Sequence, residues 1–155
     1  MRQRPAADDA EILVCYDGSD GAKRAVDAAA LLLAPRHAVV LNVAPAVGPP
    51  GSAPPSSPLP SGDASGHLNN RSDAVTRAAA GAARARRAGL DAEARATSAP
   101  ATWQGIVAVA DELDAAAIVI GAGRDEPARG SVSRDVATHA RRPVLIVPAP
   151  RQPAD

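Results

Sequence analysis

Short apolar runs recur along the chain, and between them apolar residues return at every third or fourth position. Residues 11–16 (EILVCY) form such a run with β-branched and aromatic members, closed by Asp17-Gly18-Ser19, which predicts a buried strand ending in a turn. A helix follows. Asp20 or Ser19 can cap it, and Ala22, Ala25, Val26, Ala29, Leu32 and Leu33 form its apolar stripe until Pro35 stops it. Residues 38–43 (AVVLNV) are apolar apart from Asn42 and too short for a free-standing helix, so they make a second buried strand and complete a strand-helix-strand unit.

The pattern then lapses. Residues 46–66 hold six Pro, five Ser and four Gly, with Val47 and Leu59 their only large apolar side chains. Such a segment cannot bury enough surface to order itself, so it is expected to be a disordered insertion, a tolerated one rather than a regulatory tether. Helical spacing returns over about His67–Ala88, where Leu68, Ala74, Val75, Ala78, Ala79, Ala82 and Ala85 oppose Arg71, Arg77, Arg84 and Arg87 before Gly89. Residues 90–97 alternate weakly, as in a strand. Pro100 opens a helix through Trp103, Ile106, Val107, Ala110 and Leu113, with Trp103 in the core or at its rim. AAAIVIG at 115–121 is the clearest buried strand; a helix over about Ser131–Ala140 and PVLIVP at 143–148 complete the series.

Five strands alternating with four helices predict an α/β fold, a three-layer, doubly wound, five-stranded parallel sheet. The chain divides into a flexible N-terminus at 1–10, one domain over 11–148 interrupted by the insertion, and a flexible tail at 149–155. Ligands of such folds bind at the C-terminal ends of the strands, which directs attention to Asp17–Asp20, Val43–Val47 and Gly121–Ser131.

Composition narrows the possibilities. Of the hydrophobic residues 38 are alanine and 29 are Leu, Ile or Val, with one Trp, one Tyr and no Phe, so the core must be thin and aliphatic. Seventeen basic residues balance seventeen acidic ones, leaving no global field to gather nucleic acid or an anionic membrane. The arginines of the 67–88 segment lack interleaved aromatics and fit a solvated face. A single cysteine, Cys15, suits a reducing compartment and hence the cytoplasm. The charged N-terminal residues and the shortness of every apolar run predict neither export nor membrane insertion.

The chemistry-bearing loops each admit two readings. Asp17 can accept a hydrogen bond from a ligand amine or ribose hydroxyl, or fix its own turn by bonding backbone amides. Gly130-Ser131-Val132-Ser133 begins a helix whose amides, dipole and hydroxyls favour a phosphate, while Ser131 or Ser133 can equally be an ordinary cap. A P-loop is excluded, because the only lysine, Lys23, has the wrong spacing. A dinucleotide fingerprint fails at Glu126, where the third glycine belongs. A phospho-receiver site lacks its central-strand Asp and its lysine. His37, His67 and His139 pair with no nucleophile, and Cys15 reads as a small core residue.

These residues also carry a likeness. ILVCYDGSDGAKRAVDAA at 12–29, LNVAP at 41–45 and IVIGAGRDEPARGSVSRDVATHARRPVLIVP at 118–148 resemble the universal stress protein family, whose fold is the adenine-nucleotide α-hydrolase-like arrangement of the same five strands. In ATP-binding members an aspartate after the first strand and a backbone position after the second hold adenine and ribose. A G-x2-G-x9-G-[ST] loop after the fourth strand holds the phosphates. The resemblance thus implies nucleotide-binding roles for Asp17, Val43, Gly121, Gly130, Ser131 and Val132, with Ser133 adding a hydroxyl. Arg124 stands where the family has its second glycine, and five residues instead of nine separate it from Gly130. Gly123 can substitute one place early, and Arg124 and Arg129 can pair with phosphate oxygens in place of lost amides.

The resemblance implies a regulatory domain of the stress response that binds ATP, ADP or AMP, with Mg2+ accompanying the nucleotide and at most slow hydrolysis. The alternative is a degenerate member that binds no nucleotide and serves as a dimeric protein-interaction module. An enzyme acting on a small substrate lacks a catalytic set. A homodimer is expected through the last strand, by way of Val144, Leu145, Ile146 and Val147.

Overall fold

A computed structural model describes residues 10–34, 36–46, 64–123 and 131–151. Most of the terminus at 1–10, the insertion at 46–66 and the tail at 149–155 lies outside them, as do Pro35 and residues 124–130. The elements run β1 (Ile12–Cys15), α1 (Asp20–Leu33), β2 (His37–Pro45), α2 (Ala64–Arg87), β3 (Asp91–Ala99), α3 (Thr102–Glu112), β4 (Ala117–Gly121), α4 (Val132–His139) and β5 (Val144–Val147). The strands form one parallel sheet in the order β3-β2-β1-β4-β5. This is the doubly wound α/β arrangement that the alternation of patterns predicts.

Side-chain alternation along β1 divides the core in two. Ile12, Val14 and Tyr16 pack with Ala22, Ala25, Val26 and Ala29 of α1 and with Ala82 and Ala85 of α2. On the other face Leu13 and Cys15 pack with Ile106, Val109 and Ala110 of α3 and with Val136 of α4. The abundance of alanine lets helices lie close on the sheet, and Gly81 carries this further. A Cβ there would stand 2.6 Å from Cγ of Tyr16 and 2.7 Å from Cγ1 of Val40, so α2 rests its backbone on β1 and β2. Arg84 ties α2 to α1 by a two-pronged pairing with Asp27, at 3.0 and 2.7 Å.

The structure shifts several expected positions. Helix α2 opens at Ala64 instead of near His67, and α3 starts at Thr102, two residues beyond Pro100. Leu32, assigned to the apolar stripe of α1, is 62% exposed, and its neighbour Leu31 is 84% exposed; Leu33 alone of the three packs against the core. In α2, Val75 is 53% exposed while Ala74 is buried. Ala79 is exposed too. Trp103 packs at the rim, stacked on the His139 ring at a centroid distance of 4.1 Å. Among the described residues no helix is long and apolar enough to cross a membrane.

Candidate functional site

Strand order reverses at β1: β2 and β3 follow it on one side, and the chain then returns to place β4 and β5 on the other. The connections that leave the strands on either side of such a switch point run to opposite faces of the sheet and leave a crevice at the carboxyl ends of the strands. A cleft of about 360 Å³ lies there, within the range usual for small-molecule sites. Its lining joins Tyr16, Asp17, Asn42 and Val43 from the ends of β1 and β2 to Gly121, Gly123, Val132 and Ser133 around β4 and α4.

Both readings of the Asp17 turn prove compatible. Oδ1 of Asp17 accepts the Ser19 amide at 2.9 Å, and Gly18 supplies the positive φ of +85° that the turn requires. Ser19 is the cap of α1, its Oγ accepting the Ala22 amide at 3.2 Å. One carboxylate oxygen therefore fixes the turn, while Oδ2 has no partner among the described residues and the side chain stays exposed at the cleft.

The base of this end is set by Asn42, a polar residue buried within β2. Its Nδ2 donates to the Tyr16 carbonyl at 2.7 Å, and the Tyr16 amide donates to Leu41 at 2.9 Å, so β1 and β2 stay paired to the edge of the cleft. Across the cleft Gly105 brings α3 against Val43: a Cβ at Gly105 would stand 2.8 Å from Cγ1 of Val43. Thr102 and Ile106 of the same helix form part of the wall.

At the opposite end α4 opens onto the cleft. Ser131 caps it, its Oγ accepting the Arg134 amide at 3.3 Å and lying 2.6 Å from Oγ of Ser133. The cap reading of Ser131 is thus realised, and Ser133 is the buried hydroxyl that reaches the lining. The positive end of the α4 dipole falls on this side. Gly21 and Gly121 let the start of α1 and the end of β4 touch backbone to backbone, since a Cβ on Gly121 would overlap the Gly21 carbonyl. Arg24 braces the same junction by donating to the Ala122 carbonyl at 3.3 Å.

Of the residues singled out in the sequence, the cleft gathers Asp17, Val43, Gly121, Gly123, Val132 and Ser133. Arg124, Arg129 and Gly130 lie outside the described residues. Asn42, Thr102, Ile106 and Arg77 join the lining without having been marked by any motif. Cys15 also borders the cleft, and burial, with the neighbouring Asp17, pushes its thiol up to about 12, which favours the protonated form. Among the described residues no group of three metal-ligating side chains occurs.

Comparison with known proteins gives a consistent picture. No curated protein sequence matches the chain. Among solved structures, the universal stress protein from Archaeoglobus fulgidus is 28% identical, with 89% of this chain and 93% of that chain covered and a TM-score of 0.62. A universal stress protein family member from Burkholderia pseudomallei is 26% identical, over 94% of this chain and all of that chain, with a TM-score of 0.64. The Archaeoglobus fulgidus protein in complex with dAMP is similar at 26% identity, over 89% of this chain and 97% of that chain, with a TM-score of 0.62. A model of the universal stress protein family matches residues 10–148, nearly the whole domain, and the chain belongs to that family.

Proposed function

We propose that this protein is a regulatory domain of the stress response that binds an adenine nucleotide in the cleft beyond β1, β2 and β4. The observation that carries the reading is the joining, in one cleft of about 360 Å³, of an acidic and amide-lined end with a helix-capped, glycine-bordered end. Those two ends suit the two ends of a nucleotide. In this reading Oδ2 of Asp17 accepts from a ribose hydroxyl or the adenine amine, and the backbone at Val43 borders the base. Gly121, Gly123, Ser131, Val132 and Ser133 serve the phosphates, joined by Arg124 and Gly130 of the sequence between β4 and α4. Support also comes from the similar Archaeoglobus fulgidus protein, which forms a complex with dAMP. Mg2+ would enter on the phosphates. Among the described residues the lining holds no general base besides an aspartate engaged in its own turn, which supports a domain that holds the nucleotide with at most slow hydrolysis, in a cytoplasmic setting.

The test is calorimetry with AMP and ATP on the wild type and on Asp17→Ala. Binding by the wild type, weakened about 10- to 100-fold in the variant, is the expected result, since a hydrogen bond to a charged group contributes about 1.5–3 kcal/mol. A wild type that binds neither nucleotide would leave the cleft without this function. Linkage gives a second measure: nucleotide at a hundredfold above Kd should add about 2.7 kcal/mol of stability.

A homodimer through β5 belongs to the same reading. The strand lies at the sheet edge; Val144, Leu145 and Val147 are only half-buried, and Ile146 is 39% exposed. Such an apolar edge invites pairing with the same strand of a second copy. Sedimentation across concentration should show a species of twice the 15.6 kDa chain mass. A single species of monomer mass throughout would refute it.

A further inference from the structure

We infer that Arg77 is a base-recognition residue of the cleft, its guanidinium covering the face of the adenine ring. The inference rests on the nucleotide reading above and adds a residue that no motif of the family pattern marks. Arg77 lies in α2, and one helical turn later Gly81 seats that helix directly on the Tyr16 ring. Residues four apart share a helix face, so Arg77 stands above Tyr16, toward the strand ends, and it lines the same cleft as Asp17, Asn42 and Val43.

Three features favour the base over the phosphates as its target. First, α2 packs on the sheet face that Tyr16 shares with α1, whereas the α4 N-terminus belongs to the opposite face beyond β4. Second, Arg77 makes no hydrogen bond or ion pair among the described residues, unlike Arg84 on the next turns, which is engaged by Asp27. Third, the chain has no Phe and its lone Trp stacks on His139, so among the described residues adenine finds no free aromatic platform at this end other than the Tyr16 ring already packed under Gly81. A planar guanidinium supplies what is missing, because it stacks on a π-face while its edge donors remain hydrated.

The experiment is titration of wild type, Arg77→Ala and Arg77→Lys with adenosine and with AMP. Alanine preserves an exposed helical position, and unchanged melting of both variants verifies the fold. Arg77→Ala should weaken adenosine and AMP by the same factor, about fivefold, the size of one exposed cation–π contact. Arg77→Lys should recover only part of this, since it keeps the charge but loses the plane. Weakening of AMP with adenosine untouched would assign Arg77 to the phosphate and overturn the inference. Unchanged affinity for both would overturn it as well, while the nucleotide reading stood. A wild type that binds neither probe would overturn both together.

Discussion

Gly121→Ala is expected to destabilise the domain by about 3 kcal/mol, read as a drop in the urea midpoint at unchanged slope. Most overpacked sites relieve strain by rotating a side chain. Here the added methyl would meet the Gly21 carbonyl, and on the reverse side a Cβ at Gly21 would lie 3.0 Å from the Ala122 carbonyl. Backbone faces backbone. Relief therefore requires α1 to withdraw from β4, which breaks the Arg24 bond to Ala122 and displaces the turn that holds Asp17. If the cleft holds a nucleotide as proposed, whatever protein remains folded should bind it more weakly as well. A loss below about 1 kcal/mol would mean that the two backbones are not in contact.

That junction also shows what a single sequence reveals. Gly121 is legible as a glycine ending a β-branched strand, and Gly21 as a glycine in the first turn of a helix, but their mutual contact spans a hundred residues and leaves no local trace. The strands themselves were readable because Val, Ile and Leu cluster where both sheet faces are covered, as in LVC, VVL and IVI. Even the weak alternation at 90–97 corresponds to β3, which lies at the sheet edge and keeps polar residues exposed. Helix phase was harder. Where nearly every apolar residue is alanine, several stripes have similar hydrophobicity, and α2 buries Ala74 in place of the larger Val75. At the end of α1 three successive leucines offer no periodic contrast at all.

The site divides the same way. Asp17 and the Gly-Ser-Val-Ser start of α4 stood out because strand ends and helix starts are defined by the local pattern. Asn42 carried a signal that could have been used: a lone polar residue in a buried strand must find a partner, and its partner is the Tyr16 carbonyl. Arg77 carried none, being one of several arginines on an alanine-rich helix. Only the packing of Gly81 on Tyr16 decides which of them reaches the cleft.

Leu13→Ala should cost about 3–4 kcal/mol, near the middle of the range for buried leucine, and lower Tm by roughly 10 °C. Leu13 is fully buried on the central strand, paired in register with Val39 and Ile118, in the core cluster that also holds Leu41, Ile106, Val109 and Val136. These neighbours are mostly β-branched and stiff, and those on the strands are held by the sheet's hydrogen bonds, so the cavity cannot collapse. The alanines of the same cluster, Ala110 and Ala115, have no reach to fill it. In a chain with 29 branched aliphatics and no phenylalanine, one such side chain is a large share of a net stability of about 5–15 kcal/mol. Leu32→Lys is the matched control: the residue belongs to the apolar stripe by spacing, but at 62% exposure its replacement should stay within about 0.5 kcal/mol. If Leu32→Lys proved the costlier of the two, α1 would have to present its other face to the sheet, and Ser19 and Asp17 would turn away from the cleft with it.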